Sequence, residues 1–235
     1  MNVVHRAGAL IAIGVLTAGA VAACDEPDGS PAAGIDPESA LASTVHVEAE
    51  GCGPRIRLGM GTTIADGLVV TAAHVVGGAD RIDVVDNDGH RVRADAVMFD
   101  PDLDIAAIRP RPATAAPAIL RRTPVGADDV GVVVVRDTDG GDEMLPVTVL
   151  RTVTIRTTDI YRDGAVERPG FEIEAPIEPG DSGAMVHFAD GAAGVVWARS
   201  TTRVDRAWAV TLPEELLEPN ARRSLVDVID TGPCP

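Results

Sequence analysis

Lysine is absent from all 235 residues, so every one of the 20 basic side chains is an Arg, set against 36 Asp and Glu for a formal net charge of −16. A chain this acidic repels phosphate backbones, and nucleic acid is a poor partner for it. Missing Lys reads as codon or genome bias, and Arg still offers a bidentate fork wherever a carboxylate needs one. Aromatics are scarce too, at 3% against 46% apolar residues. The core must therefore come from Val, Ile, Leu and Ala, and runs such as 131–135 and 194–197 favour strands. There is no P-loop, no GxGxxG and no internal repeat of domain-building length. No metal-ligand cluster stands out either, so neither metal nor cofactor is expected.

Only three Cys are present. Residues 1–23 read as a signal peptide: His5 and Arg6 form a short n-region, and an uncharged stretch runs from Ala7 to Ala23. That stretch is short and rich in Gly and Ala for a membrane span. Val21-Ala22-Ala23-Cys24 resembles a bacterial lipobox, in which the Cys becomes lipidated. Ordinary cleavage after an alanine is the alternative. Membrane contact is thus expected only through a lipid at Cys24, with the chain otherwise secreted. Residues 24–39, rich in Pro, Gly, Ser and acid, read as a flexible tether. With Cys24 lipidated, Cys52 and Cys234 remain as a pair in an oxidising compartment. A bridge closing so long a loop is worth roughly 5 kcal/mol on the chain-entropy account. Pairings of Cys24 with Cys52 or with Cys234 stay open at this level.

From about residue 40 the pattern is short strands punctuated by turns. Strands are predicted at 44–50, 61–73 (broken at Ala65-Asp66-Gly67), 81–85, 91–99 and 105–108, with a hairpin at Asn87-Asp88-Gly89. Residues 110–118, rich in Pro and Ala, read as a connection. A second series covers 130–136, 145–157, 171–175, 184–188, 193–200 and 208–212. Residues 213–228 read as a helix or broken turns, with Pro213 suited to a first helical position and Pro219 against an uninterrupted helix. The class is all-β, with two barrels at about 40–113 and 119–212 and a short C-terminal helix.

Three segments carry chemistry. Val70-Thr71-Ala72-Ala73-His74-Val75-Val76 delivers one His among small and aliphatic neighbours. Asp100-Pro101-Asp102-Leu103-Asp104-Ile105 runs an acid straight into an apolar strand, where an ionised carboxylate needs a donor such as a His Nδ1–H. Asp100 and Asp102 read as a solvated turn. Pro179-Gly180-Asp181-Ser182-Gly183-Ala184 flanks a Ser with glycines, which permits a tight turn with amides aimed at one point. Taken singly, each has an ordinary structural reading.

Together, and in the order His, Asp, Ser, these segments resemble the trypsin-like (chymotrypsin-fold) serine peptidases over about residues 40–212. The Asp-Pro-x-x-Asp-Ile-Ala context resembles their bacterial HtrA-type branch. The resemblance implies two antiparallel barrels of the six-stranded type and a triad of His74, Asp104 and Ser182. It further implies an oxyanion hole from the amides of Gly180 and Ser182, and a protein or peptide substrate cut through an acyl-enzyme. By position, Pro176, Ile177 and Glu178 would line one wall of a specificity pocket and Trp197, Ala198 and Arg199 another, with Trp208 and Ala209 at the base. No Asp falls at its floor, so a small or aliphatic side chain is expected. Arg199 would either favour an acidic side chain or pair with a nearby carboxylate. Residues 183–235 are needed to finish the second barrel and leave no room for a PDZ module. With no Ile-Val-Gly-Gly-like segment before residue 60, activation by clipping is not expected, and Asp181 needs an Arg or an amide as partner. His46, His90 and His187 read as structural. A catalytically silent binding protein on the same fold is the alternative function, and an esterase using the same triad a third.

Overall fold

The computed structural model describes residues 34–137 and 140–235. The signal segment, Cys24 and the start of the tether lie outside the described residues. Twelve strands form two closed antiparallel barrels. The first contains β1 (Thr44–Gly51), β2 (Gly53–Ile64), β3 (Leu68–Thr71), β4 (Arg81–Val85), β5 (Arg91–Asp100) and β6 (Ile105–Pro110). The second contains β7 (Val130–Arg136), β8 (Asp142–Thr158), β9 (Ala165–Glu174), β10 (Met185–Phe188), β11 (Gly191–Arg199) and β12 (Arg206–Val210). Their orders around the barrels, β1-β2-β3-β6-β5-β4 and β10-β11-β12-β9-β8-β7, are equivalent. Two six-stranded barrels of the chymotrypsin type are thus the architecture.

Aliphatic alternation builds both barrels. Val45, Val47 and Ala49 of β1 face inward to meet Ile82 and Val84 of β4. In β7 the valines divide by parity. Val133 and Val135 enter the second barrel's core, while Val132 and Val134 pack outward on Ala40. Ala40 belongs to helix α1 (Pro37–Ser43), which opens with Pro37 after an Asp36 side chain that accepts the Glu38 N–H at 3.1 Å. The tether expected to run to residue 39 therefore ends earlier, because a capped helix covers the apolar back of β7. The connection between barrels extends over 111–129, and its middle joins the second barrel through paired bonds of Ile119 and Arg121 with Ala192.

The single C-terminal helix expected from sequence is two short ones, α3 (Glu214–Leu217) and α4 (Pro219–Arg223). Pro213 sits at the cap of α3 and Pro219 at the start of α4, so the second proline divides the segment by lacking an N–H. Arg222, from α4, bonds Asp66 at 3.0 Å and the Leu216 carbonyl at 2.8 Å. The tail then crosses the first barrel, where Ile229 N–H reaches the Ala96 carbonyl, and ends in a Cys52–Cys234 disulfide. Among the described residues no helix is long and apolar enough to cross a membrane.

The barrels meet where the Ser182 segment lies on the first. Met60 N–H donates to the Ser182 carbonyl at 2.8 Å, and Thr71 Oγ1 donates to the Met60 carbonyl at 2.7 Å. Gly183 fits between them at φ +98°, where a Cβ would stand 2.0 Å from the Met60 oxygen and 2.4 Å from Thr71 Oγ1. Behind this contact, Ile64, Leu68, Val70 and Ile105 share one apolar cluster with Met185, Val195, Val210 and Leu212. The variant Gly183→Ala is expected to lower stability by roughly 3 kcal/mol or more, since neither backbone nor φ can yield; urea midpoints read it.

A second expectation concerns pH. His187 of β10 is buried with Nε2 unpartnered among the described residues, and burial lowers its pKa from 6.5 to about 4. The unfolded chain therefore binds a proton between those values that the folded chain does not, and stability falls as pH drops below 6.5. Denaturation at pH 7 and 4.5 should show about 2 kcal/mol more loss in the parent than in His187→Phe. Equal losses would assign the acid sensitivity to other groups.

Candidate active site

His74 follows a strand that ends at Thr71, two residues sooner than the sequence pattern suggested. It lies in the one-turn helix α2 (Ala73–Val76), which follows β3 after Ala72. Asp104 immediately precedes β6 in the left-handed region, φ 61°, a conformation non-glycine residues adopt when their surroundings enforce it. The enforcement is visible. The Asp104 carbonyl accepts the Ala73 N–H at 3.2 Å, and its Oδ1 accepts the His74 N–H at 2.8 Å. Oδ2 faces His74 Nδ1 at 2.8 Å. One carboxylate thus holds both the backbone and the ring of His74. A carboxylate accepts, so Nδ1 carries the proton and Nε2 is left with its lone pair. The side chain of Asp104 is 4% exposed and that of His74 34%, so the couple opens to solvent only on the imidazole side. Asp100 shapes the preceding turn by accepting the N–H groups of Asp102 and Leu103.

Ser182 reaches this region through backbone packing. A Cβ on Gly59 would lie 2.8 Å or less from the Val75 side chain and 2.9 Å from the Ser182 carbonyl, so the residue after His74 and the Ser182 main chain converge there. In the turn itself, Asp181 N–H bonds the Glu178 carbonyl, Gly183 N–H the Val196 carbonyl and Ala184 N–H the Asp181 carbonyl. Among the described residues the amides of Gly180 and Ser182 make no hydrogen bond, and the space before Gly180, φ +110°, is open. Ser182 Oγ and His74 Nε2 are not hydrogen-bonded to each other, as is common before substrate arrives.

Asp181 is buried and takes an amide rather than an Arg as partner: its Oδ2 accepts the Glu178 N–H at 2.7 Å. Burial pushes its carboxyl above the usual range, offset in part by amides of Glu178 and Arg136.

The six residues expected to form specificity walls are not gathered in one place. Pro176 and Glu178 line a cavity of about 640 Å³ with Leu58, Met60, Leu145 and Gly180. Ile177 instead packs in the core of the second barrel. Trp197 lines a separate cavity of about 700 Å³ with His74 and Asp104. Glu178 and Arg199 stand 3.8 Å apart as an ion pair between the two segments, so Arg199 has found its carboxylate. Ala198, half-buried, pairs with Trp208 in the ladder.

Sequence reasoning missed Arg168. This β9 residue is 2% exposed, places NH1 3.7 Å from Asp104 Oδ2, and lies 4.3 Å over the Trp197 ring. An Arg on an alternating strand gives no local signal of such a contact. Among the described residues the group nearest to a metal-ligand set is Asp86, Asp88 and His90 at the β4–β5 tip, where half-buried Asp86 caps the turn and the other two are exposed.

A family model for the trypsin-like peptidase domain matches residues 59–195. Serine protease Rv3671c of Mycobacterium tuberculosis (strain ATCC 25618 / H37Rv) is 29% identical over 181 residues, spanning 75% of this chain and 44% of that protein. Serine protease MT3772 of strain CDC 1551 / Oshkosh matches to the same extent. The chain thus spans less than half the length of these curated relatives. In structure it is similar to the active form of the Rv3671c protease, with a TM-score of 0.76 and 24% identity over 85% of this chain and 92% of that one. It is also similar to the HtrA-type protease AlgW with tripeptide, with a TM-score of 0.66 and 21% identity over 80% and 63%. With more than half of its length inside the family's domain and both barrels in place, the chain belongs to the trypsin-like peptidases.

Proposed function

We propose that this chain is an exported serine endopeptidase working through His74, Asp104 and Ser182. The observation that carries the reading is the Asp104–His74 couple, with Nδ1 held as donor at 2.8 Å, beside a Ser whose turn leaves two amides unengaged. In this mechanism Ser182 Oγ attacks the scissile carbonyl and His74 Nε2 takes its proton. The imidazolium so formed is stabilised by Asp104, which stays ionised, and the proton passes to the leaving amine. An acyl-Ser182 ester remains. Water attacks it by the same route, with His74 again the base. The amides of Gly180 and Ser182 bind the oxyanion of each tetrahedral intermediate, about 3 kcal/mol per donor. These steps use no metal or cofactor.

Export rests on the charged-then-apolar pattern of residues 1–23, and attachment to the outer face of a membrane on lipid at Cys24. Substrates are proteins or peptides. Because Glu178 already compensates Arg199, an acidic side chain before the cut is disfavoured and a small or aliphatic one preferred. The open Ser182–His74 pair favours one alternative, a protease-fold protein that binds peptide without turnover.

A fluorophosphonate probe separates the two. The parent is expected to label, with labelling cut at least a hundredfold in Ser182→Ala and His74→Ala. A folded parent that resists the probe would refute the peptidase reading and leave the binding protein.

A further inference from the structure

We propose that Arg168 is a positioning residue of the triad, reaching from the second barrel to hold the Asp100–Asp104 turn and to place a positive charge behind Asp104. This rests on the peptidase reading above and deepens it. A buried guanidinium is costly unless its N–H groups and charge are met. Here Nε donates to the Asp102 carbonyl at 2.7 Å, and NH2 to the carbonyls of Thr158 at 3.2 Å and Pro101 at 3.5 Å. Its flat face is covered by Trp197. These contacts would satisfy a purely structural clamp. NH1 does something further, because it approaches Asp104 Oδ2, the same oxygen that accepts His74 Nδ1. Oδ1 accepts the His74 amide at 2.8 Å and lies 3.1 Å from Nδ1, farther than Oδ2 does. Oδ2 therefore stands between an imidazole and a guanidinium, and its negative charge is shared.

The consequence follows from sign alone. A fixed positive charge near the Asp–His couple opposes a second positive charge on the His74 ring, so its removal should favour the protonated form. The surroundings contribute known opposing charges. Asp104 meets His74 from α2 and Arg168 from β9. Asp100 and Asp102 from its own turn and Asp159 from the β8–β9 loop also act on Arg168, while Arg57, Tyr161 and Arg162 line the adjoining cavity. Burial lowers the Arg168 pKa and those carboxylates raise it, but a guanidinium stays charged throughout the working range.

The decisive measurement is the NMR titration of the His74 ring in a Ser182→Ala background, which needs no turnover. Adding Arg168→Met should raise the His74 midpoint by about half a pH unit or more, at least threefold tighter proton binding, and Arg168→Lys should return it toward the parent. A midpoint in the Met variant within about 0.2 unit of the parent would overturn the proposal. Should Arg168→Met not fold, Arg168→Gln is read in the same way. If neither neutral variant folds while the Lys variant does, Arg168 is a structural clamp only and the proposal fails. With Ser182 restored, the acid limb of kcat/KM should move upward in the Met variant while KM holds. A parent inert to substrate and probe would sink the peptidase reading without touching the ring titration.

Discussion

A carboxylate taken out of water must be surrounded by donors, and the organisation of this molecule around Asp104 follows from that requirement. Its two oxygens and its carbonyl take the Ala73 and His74 amides and the His74 ring. Meeting all three at once fixes Asp104 in the left-handed region, φ 61°, which Asp enters at less cost than most side chains. The turn is held because the residues on either side are fixed: Asp100 caps the turn before it, and Ile105, fully buried, begins the strand after it. The orientation and tautomer of His74 are consequences of this arrangement.

The same demand explains why the site needs both barrels. Asp104 and His74 belong to the first, Ser182 and Arg168 to the second. Their meeting depends on places where no side chain can intervene, Gly183 against Met60 and Thr71, and Gly59 against Val75 and the Ser182 carbonyl. Close backbone approach sets the Ser182 turn against the His74 helix, and the apolar cluster behind it holds the barrels together.

In the absence of lysine, guanidinium groups act as the ties between distant segments. Arg222 joins α4 to Asp66, Arg121 reaches Asp129 and Asp190 and lies over the Phe188 ring, and Arg168 joins β9 to the Asp104 turn. A planar fork with several donors can bond carbonyls and carboxylates together, which a single ammonium cannot do with the same geometry. His46 belongs to this set: its ring accepts from Arg136 on one nitrogen and faces Asp142 with the other, linking β1 to the second barrel.

By itself the sequence determined the strand succession and the barrel class, because these are written in local signals, while the order His74, Asp104, Ser182 carried the family resemblance. Period-two alternation marks β1, β4 and β7, turn chemistry marks the hairpins, and a Ser between glycines marks the tight turn at Ser182. Local signals also misled. The strand expected to begin at residue 171 starts at Ala165 and runs through Pro169 and Gly170, where the Ala209 carbonyl comes within 2.1 Å of where a Cβ on Gly170 would be. Pro37 reads as tether, yet it opens a helix because the back of β7 is apolar. What the tertiary structure alone decided are the contacts between residues far apart in the chain: Cys52 with Cys234 among three pairings, Glu178 with Arg199, and Arg168 with Asp104. Distance in the folded chain creates those interactions, and the last of them exists only where the two barrels pack against each other.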